Sequence, residues 1–131
     1  MEKNEMIKEL TKDLSILHVD DEEMILDLFQ FVLENFFLVS DTAKDGEEAL
    51  KKFKEKKYDI VLTDLDMPKM NGLVLSEKLQ EMDSTLPILV LSAYVNNSIA
   101  IKLEAKNIFY LKKPVTNQIL IEKIYDILKK D

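Results

Sequence analysis

Short apolar runs alternate along the chain with longer stretches whose apolar residues recur at helical spacing. The runs are Leu14–Val19, Phe37–Val39 fading into Ser40–Ala43, Tyr58–Thr63, Ile88–Leu91 and Ile108–Leu111. Runs this short and this apolar, bounded by turn residues, read as strands buried on both faces. A helix is expected after Asp20-Asp21-Glu22-Glu23, with acidic residues in its first turn where the helix dipole favours them. Its buried stripe is expected at Ile25, Leu28, Phe29, Val32 and Phe36. Asp45-Gly46 is a turn before a helix over 47–57, with Ala49, Leu50 and Phe53 inward. A third helix spans 73–82 on Leu75, Leu79 and Met82. A weaker fourth spans 97–105 on Ile99, Ala100 and Leu103, closed by Asn107 as a left-handed C-cap. Thr116 N-caps the last helix, which runs to Lys130 on Ile119, Leu120, Ile124, Ile127 and Leu128. Residues 1–13, with Met6, Ile7 and Leu10 at helical spacing, can form a short helix, but are expected to be a frayed amphipathic extension or a linker, with a partner contact as the alternative.

Strict strand–helix alternation implies right-handed crossovers and a parallel α/β sheet covered on both faces. The order 2-1-3-4-5 sets the first and third strands side by side at the point where strand order reverses. Ligands in such sheets bind beyond the carboxyl ends of the strands.

At 131 residues the chain fits one domain with a real core. Its 47% hydrophobic and 33% charged residues fit a folded globular protein. The net charge of −7, with Lys as the only basic type besides one His, argues against nucleic acid as a partner. The absence of Cys removes disulfides, thiolate metal sites and thiol nucleophiles. No apolar run approaches a membrane span and the first residues lack a signal-peptide core, so a cytoplasmic location is expected. His18 is the sole histidine, expected to pack on its strand; no second His or Cys completes a metal site with it.

The strand ends carry the chemistry. The first gives Asp20 and Asp21, the third Asp64 with Asp66 beyond it, the fourth Ser92 and the fifth Lys113. Each has an ordinary explanation alone: an acidic helix cap, turn formers before Pro68, a surface hydroxyl, a solvated lysine. Gathered on one rim they need another. Two bare carboxylates ~4 Å apart repel by roughly 4 kcal/mol at an effective dielectric near 20. Lys113 supplies one counter-charge, and a hard divalent cation with oxygen ligands supplies more. Metal, ammonium and carboxylate together suit phosphoryl transfer, with a carboxylate as nucleophile. Asp64, ending the central strand, is the nucleophile candidate; Asp20 and Asp21 are better placed as metal-side ligands.

With these residues placed, the chain from Leu14 to about Leu128 resembles the receiver domain of two-component response regulators, of the chemotaxis-response-regulator type, with a flavodoxin-like (βα)5 sandwich. The matching pieces are Ile16 to Asp21, Ala43 to Leu50, Asp59 to Pro68 with Gly72, Pro87 to Ala93, and Tyr110 to Pro114. The resemblance implies a receiver domain over 14–130 after an N-terminal extension over 1–13. It implies that Asp64 accepts phosphate from a phosphohistidine on a histidine kinase or histidine phosphotransfer protein. Asp21 directly, Asp20 through water, Asp64 and the Asp66 backbone carbonyl then hold Mg²⁺, or Mn²⁺ in its place. Lys113 pairs with the phosphoryl group. Ser92 and Tyr110 take the hydroxyl-switch and aromatic-switch positions. A cis bond between Lys113 and Pro114 is implied. Phosphorylation then remodels the face built from the fourth helix, fifth strand and fifth helix for a downstream protein target. The domain is expected to be a phosphoacceptor with self-catalysed phosphotransfer and autodephosphorylation rather than an enzyme acting on other substrates.

Two departures stand out. Lys106-Asn107 replaces a common Gly-Ala pair, and Phe109 is apolar where a polar residue is common. Phe109 is expected to extend the core, with an apolar partner patch as the alternative. Two other functions compete. Asp64-Leu65-Asp66 resembles the nucleophile motif of haloacid-dehalogenase-like phosphatases, although that motif normally follows a first strand. A degenerate, non-phosphorylated binding module would keep the fold alone. The chain is expected to carry no effector domain, whether it is a stand-alone receiver or a piece of a longer regulator or hybrid kinase.

Overall fold

The computed structural model describes residues 1–129. Five parallel strands, β1 (Ser15–Val19), β2 (Val39–Ala43), β3 (Ile60–Asp64), β4 (Ile88–Ser92) and β5 (Phe109–Lys112), form one sheet in the order β2-β1-β3-β4-β5. Six helices accompany them: α1 (Lys3–Thr11), α2 (Glu23–Phe36), α3 (Gly46–Glu55), α4 (Gly72–Met82), α5 (Asn97–Ala105) and α6 (Asn117–Leu128). The register pairs Val19 with Thr63, Asp64 with Leu91 and Ser92 with Lys112, which brings the strand ends level on one rim.

Alternation along β1, β3 and β4 divides the core in two. Leu17, Val19, Val61, Ile88 and Val90 pack with Ala49, Leu75, Leu79 and Leu103 from α3, α4 and α5. Ile16, Ile60, Leu62, Leu89 and Leu91 pack with Phe29, Leu33, Leu120 and Ile124 from α2 and α6. Burial of both faces explains the near-continuous apolar runs of these strands. Four helices start on side-chain caps that satisfy otherwise orphaned backbone donors. Asp45 accepts the N–H of Glu48, Asn71 that of Val74, Asn96 that of Ile99 and Thr116 that of Ile119.

Several expectations are corrected. Leu28 is 58% exposed; α2 instead buries Leu26, Phe29, Val32 and Leu33. Met82, at the last turn of α4, and Ile119, in the first turn of α6, are also exposed. Phe37 and Leu38 lie outside β2, since the Phe37 N–H still bonds the Leu33 carbonyl at 2.9 Å and closes α2. Phe109 does not extend the core: it is 40% exposed, beneath the Lys123 ammonium 5.9 Å from its ring centroid. Residues 3–11 are not frayed. They form α1, which packs on α2 and α6 with Ile7 and Thr11 buried; Thr11 Oγ1 donates to the Phe36 carbonyl at 2.6 Å. The last helix ends at Leu128, and Lys130, expected as its end, lies outside the described residues. Asn107, at φ 59°, is the left-handed residue expected after α5.

Gly72 opens α4 directly beneath the end of β3. A Cβ there would clash with the Asp64 carbonyl oxygen and stand 3.0 Å from Leu65 Cα, both backbone atoms. At Gly46 the nearest atom is the flexible Met70 Sδ. Gly72→Ala is therefore expected to cost about 1–3 kcal/mol and Gly46→Ala clearly less. Urea unfolding of both variants measures the difference; equal costs would contradict it.

Candidate functional site

Asp20 follows β1 directly. Its N–H bonds the Ala43 carbonyl at 3.1 Å, so the pairing of β1 with β2 fixes its backbone. Its carboxylate is buried and accepts the Glu22 N–H at 2.9 Å, at the mouth of α2. Asp21 beside it is exposed. Asp64 is the last residue of β3 and is only 7% exposed; the ladder continues past it, with the Leu65 N–H bonding the Leu91 carbonyl at 2.9 Å. Carboxylate oxygens of Asp20, Asp21 and Asp64 all lie within 4.8 Å of one another. Lys113, just beyond β5, places Nζ 3.0 Å from Asp64 Oδ1 and 4.0 Å from Asp20 Oδ2. The Lys113–Pro114 bond is cis.

The electrostatics follow from crowding. Burial, reinforced by the Asp64 and Asp21 charges, pushes the Asp20 carboxyl up to about 6 against the Glu22 N–H and Lys113. Burial also raises the Asp64 carboxyl, helped by Asp66 and Asp21, although Lys113 pulls the other way. Burial lowers the Lys113 ammonium, but its hydrogen bond and ion pair with Asp64 outweigh that and leave it raised. One lysine thus faces three acids. The donor set is all oxygen, the chemistry of a hard divalent cation rather than of a transition metal seeking nitrogen or sulfur.

Ser92 ends β4 and is fully buried. Its Oγ lies 3.1 Å from Asp66 Oδ2 and 2.9 Å from the Tyr94 carbonyl, and it accepts the Tyr94 N–H at 3.1 Å. The hydroxyl is held on the Asp66 side of the rim. Tyr110 stands apart: it is half-buried on β5, with its hydroxyl 3.5 Å from the Glu104 carboxylate of α5. No sequence signal marks the lock between the Ser92 hydroxyl and the Tyr94 backbone, since it is a main-chain contact. His18 packs as expected, edge-on to Phe29 with ring centroids 5.9 Å apart. Its Nδ1 has no partner among the described residues, and burial with the nearby Lys113 charge pulls its pKa down to about 3.

The acidic hollow and its lysine lie beyond the carboxyl ends of the strands at the strand-reversal point, where open α/β sheets bind their ligands. The model of the response regulator receiver domain family matches residues 16–125, and the chain belongs to that family. It is 35% identical over 118 residues to the alkaline phosphatase synthesis transcriptional regulatory protein PhoP of Bacillus subtilis, covering 88% of this chain and 48% of PhoP. It is 32% identical over 120 residues to the chemotaxis protein CheY of Treponema pallidum, covering 87% of this chain and 82% of that protein. The chain thus spans about half the length of PhoP and most of that CheY. Among solved structures, Vibrio cholerae CheY4 superposes with a TM-score of 0.83 at 25% identity, covering 88% of this chain and 99% of the other. CheY in the CheX–CheY–BeF3–Mg complex of Borrelia burgdorferi does so at 0.83 and 26%, covering 91% and 92%. The chain is a receiver domain of the two-component type, and the phosphatase and degenerate-module alternatives are not favoured. No helix among the described residues is long and apolar enough to cross a membrane.

Proposed function

We propose that Asp64 is the phosphoacceptor and that Asp20, Asp21, Asp64 and the Asp66 backbone carbonyl hold Mg²⁺ or Mn²⁺. The observation that carries the reading is the Lys113–Asp64 contact of 3.0 Å inside the cluster of three acids. An Asp64 carboxylate oxygen attacks phosphorus, and the phosphorus–nitrogen bond of a donor phosphohistidine breaks. The electron pair leaves on the imidazole nitrogen, which takes up a proton. A bound cation would supply charge neutralisation at the phosphoryl group. Lys113 holds a phosphoryl oxygen and orients the group, and Asp20 and Asp21 keep the acidic side of the hollow ready for the metal. The donor is a histidine kinase or a histidine phosphotransfer protein.

Ser92 then exchanges its Asp66 contact for a phosphoryl oxygen, and Tyr110 leaves Glu104 and turns inward. These moves alter the face made by α5, β5 and α6, which a downstream protein reads. Residues 14–130 constitute the receiver unit and residues 1–13 an N-terminal extension docked on it. The domain works in the cytoplasm and releases its phosphate by its own hydrolysis rather than turning over other substrates.

Acetyl phosphate with Mg²⁺ is expected to label the chain, and peptide mapping to place the group on Asp64. Omission of Mg²⁺ is expected to remove the label. A phosphoryl group on another residue, or none, would overturn the assignment.

A further inference from the structure

α1 lies outside the residues 16–125 that match the receiver family, yet it is tied down along its whole length. At its end the Thr11 hydroxyl donates to the Phe36 carbonyl, the last of α2, at 2.6 Å. In its middle Ile7 is 1% exposed and joins the core between the sheet, α2 and α6. At its start Gln118 Nε2 donates to Asn4 Oδ1 at 2.8 Å, and Asn4 Nδ2 stands 3.4 Å from Gln118 Oε1. The Lys3 ammonium lies 4.7 Å from the Tyr125 ring centroid. Gln118 and Tyr125 are both in α6, so neighbouring residues of α1 reach across about two turns of that helix.

The turn of α6 that Asn4 reaches is the one next to the acidic hollow. Between Lys113 and α6 stand just Pro114, Val115 and Thr116. On the strand side Lys113 is well held, since its N–H bonds the Ser92 carbonyl at 2.8 Å. On the helix side the hold is thin. Asn117, Gln118 and Ile119 are all exposed, and the first buried residue of α6 is Leu120. Thr116 and Glu122 bond this turn from within the same segment. Among the described residues, the Asn4 pair is the one side-chain hydrogen bond that reaches it from another element. A flexible lysine keeps a 3.0 Å contact with Asp64 as long as the backbone beneath it stays in place. A misplacement of ~1 Å, caused far from the chemistry, is enough for a ~10²-fold loss of rate.

We infer that α1 is a brace for the start of α6, and that Ile7 and Asn4 are positioning residues for Lys113. Ile7 fixes α1 in the core, and Asn4 carries that support to the turn that follows Lys113. This role rests on the assignment of Lys113 to the phosphoryl group. Lifting α1 frees the first turn of α6, lets the ammonium drift from Asp64 and slows phosphoryl uptake. α1 is thus a control point on the site, placed outside the site itself.

Two measurements on the full chain test this. Amide hydrogen exchange reads the brace with no phosphoryl donor present. Ile7→Ser is expected to speed exchange at least fivefold over residues 3–11 and at the Ile119 and Leu120 amides, which bond Thr116. Labelling by acetyl phosphate with Mg²⁺ reads the consequence. Ile7→Ser is expected to label at least threefold more slowly than the native chain, and to add no further slowing to Lys113→Ala. Asn4→Ala/Gln118→Ala, which leaves the core intact, is expected to follow the same pattern with at least a twofold effect. It serves in place of Ile7→Ser if circular dichroism shows that variant misfolded. Unchanged exchange at Ile119 and Leu120 in a variant whose α1 exchanges freely overturns the brace. Unchanged labelling, or equal slowing with and without Lys113, overturns the positioning role, because α1 then supports the fold at large. A native chain that takes no label on Asp64 overturns the site assignment and the positioning role with it, while exchange alone still decides whether α1 braces α6.

Discussion

Asp64→Asn is expected to take up no phosphoryl group from acetyl phosphate, and Lys113→Ala to take it up at least a hundredfold more slowly than the native chain. The first follows from chemistry: an amide oxygen in place of the carboxylate is a poor nucleophile and cannot carry the negative charge that makes Asp64 reactive. The second follows from position. Lys113 Nζ is 3.0 Å from Asp64 Oδ1, so an oxygen of a group joined to Asp64 falls within its reach. A fixed donor aimed at developing charge in a partly buried site is worth ~10²–10³ in rate. Lys113→Arg is expected to recover little, since a planar fork does not replace a point charge in a hollow already bounded by Asp20 and Asp64. Single-turnover labelling at saturating Mg²⁺ reads all three variants. A Lys113→Ala rate within threefold of native would show that the ion pair has only a structural role.

β1, β3 and β4 were legible because burial on both faces leaves them few polar positions, and breakers such as Pro87 mark their limits. The rim was legible for a related reason. Asp64 interrupts an otherwise apolar strand at its carboxyl end, where packing has no use for a charge. Helix faces were harder to read. In α2 apolar residues cover both the core side and the solvent side, so spacing alone cannot say that Leu28 is outside and Leu33 inside. β2 is an edge strand of mostly polar residues, and its start at Val39 depends on where α2 ends rather than on its own sequence. In α1 the spacing of Met6, Ile7 and Leu10 marks a helix but not its docking, which rests on Ile7 alone among them and on the Thr11 hydroxyl. Ser92 and Tyr110 were named as a pair, but their present partners, Asp66 and Glu104, come from separate elements that only the folded chain brings near.

Asp20→Asn is expected to stabilise the metal-free protein while weakening Mg²⁺ binding at least tenfold. Asp20 is 1% exposed and its pKa rises from 3.8 to about 6, chiefly by burial and then by the Asp64 charge. A folded-state pKa above the unfolded one means that its stabilising contribution is complete below 3.8 and is lost as pH rises through about 6. At neutral pH the metal-free fold therefore holds a carboxylate it would rather protonate. The undiscounted cost is roughly 3 kcal/mol, and the opening of the hollow to water reduces it to about 1–2 kcal/mol. Asn removes that charge and still offers an oxygen to the Glu22 N–H, so the local backbone geometry survives. In chelator at pH 7 the variant should melt several degrees above the native chain, and the gap should close as pH falls toward 4. His18 also titrates in acid, but it is present in both proteins and cancels from the difference. Saturating Mg²⁺ reverses the ranking, because ligand binding stabilises the native fold and the variant has lost affinity. A variant less stable than native in chelator at pH 7, or a gap that does not shrink in acid, would mean that Asp20 is held for packing rather than for a cation.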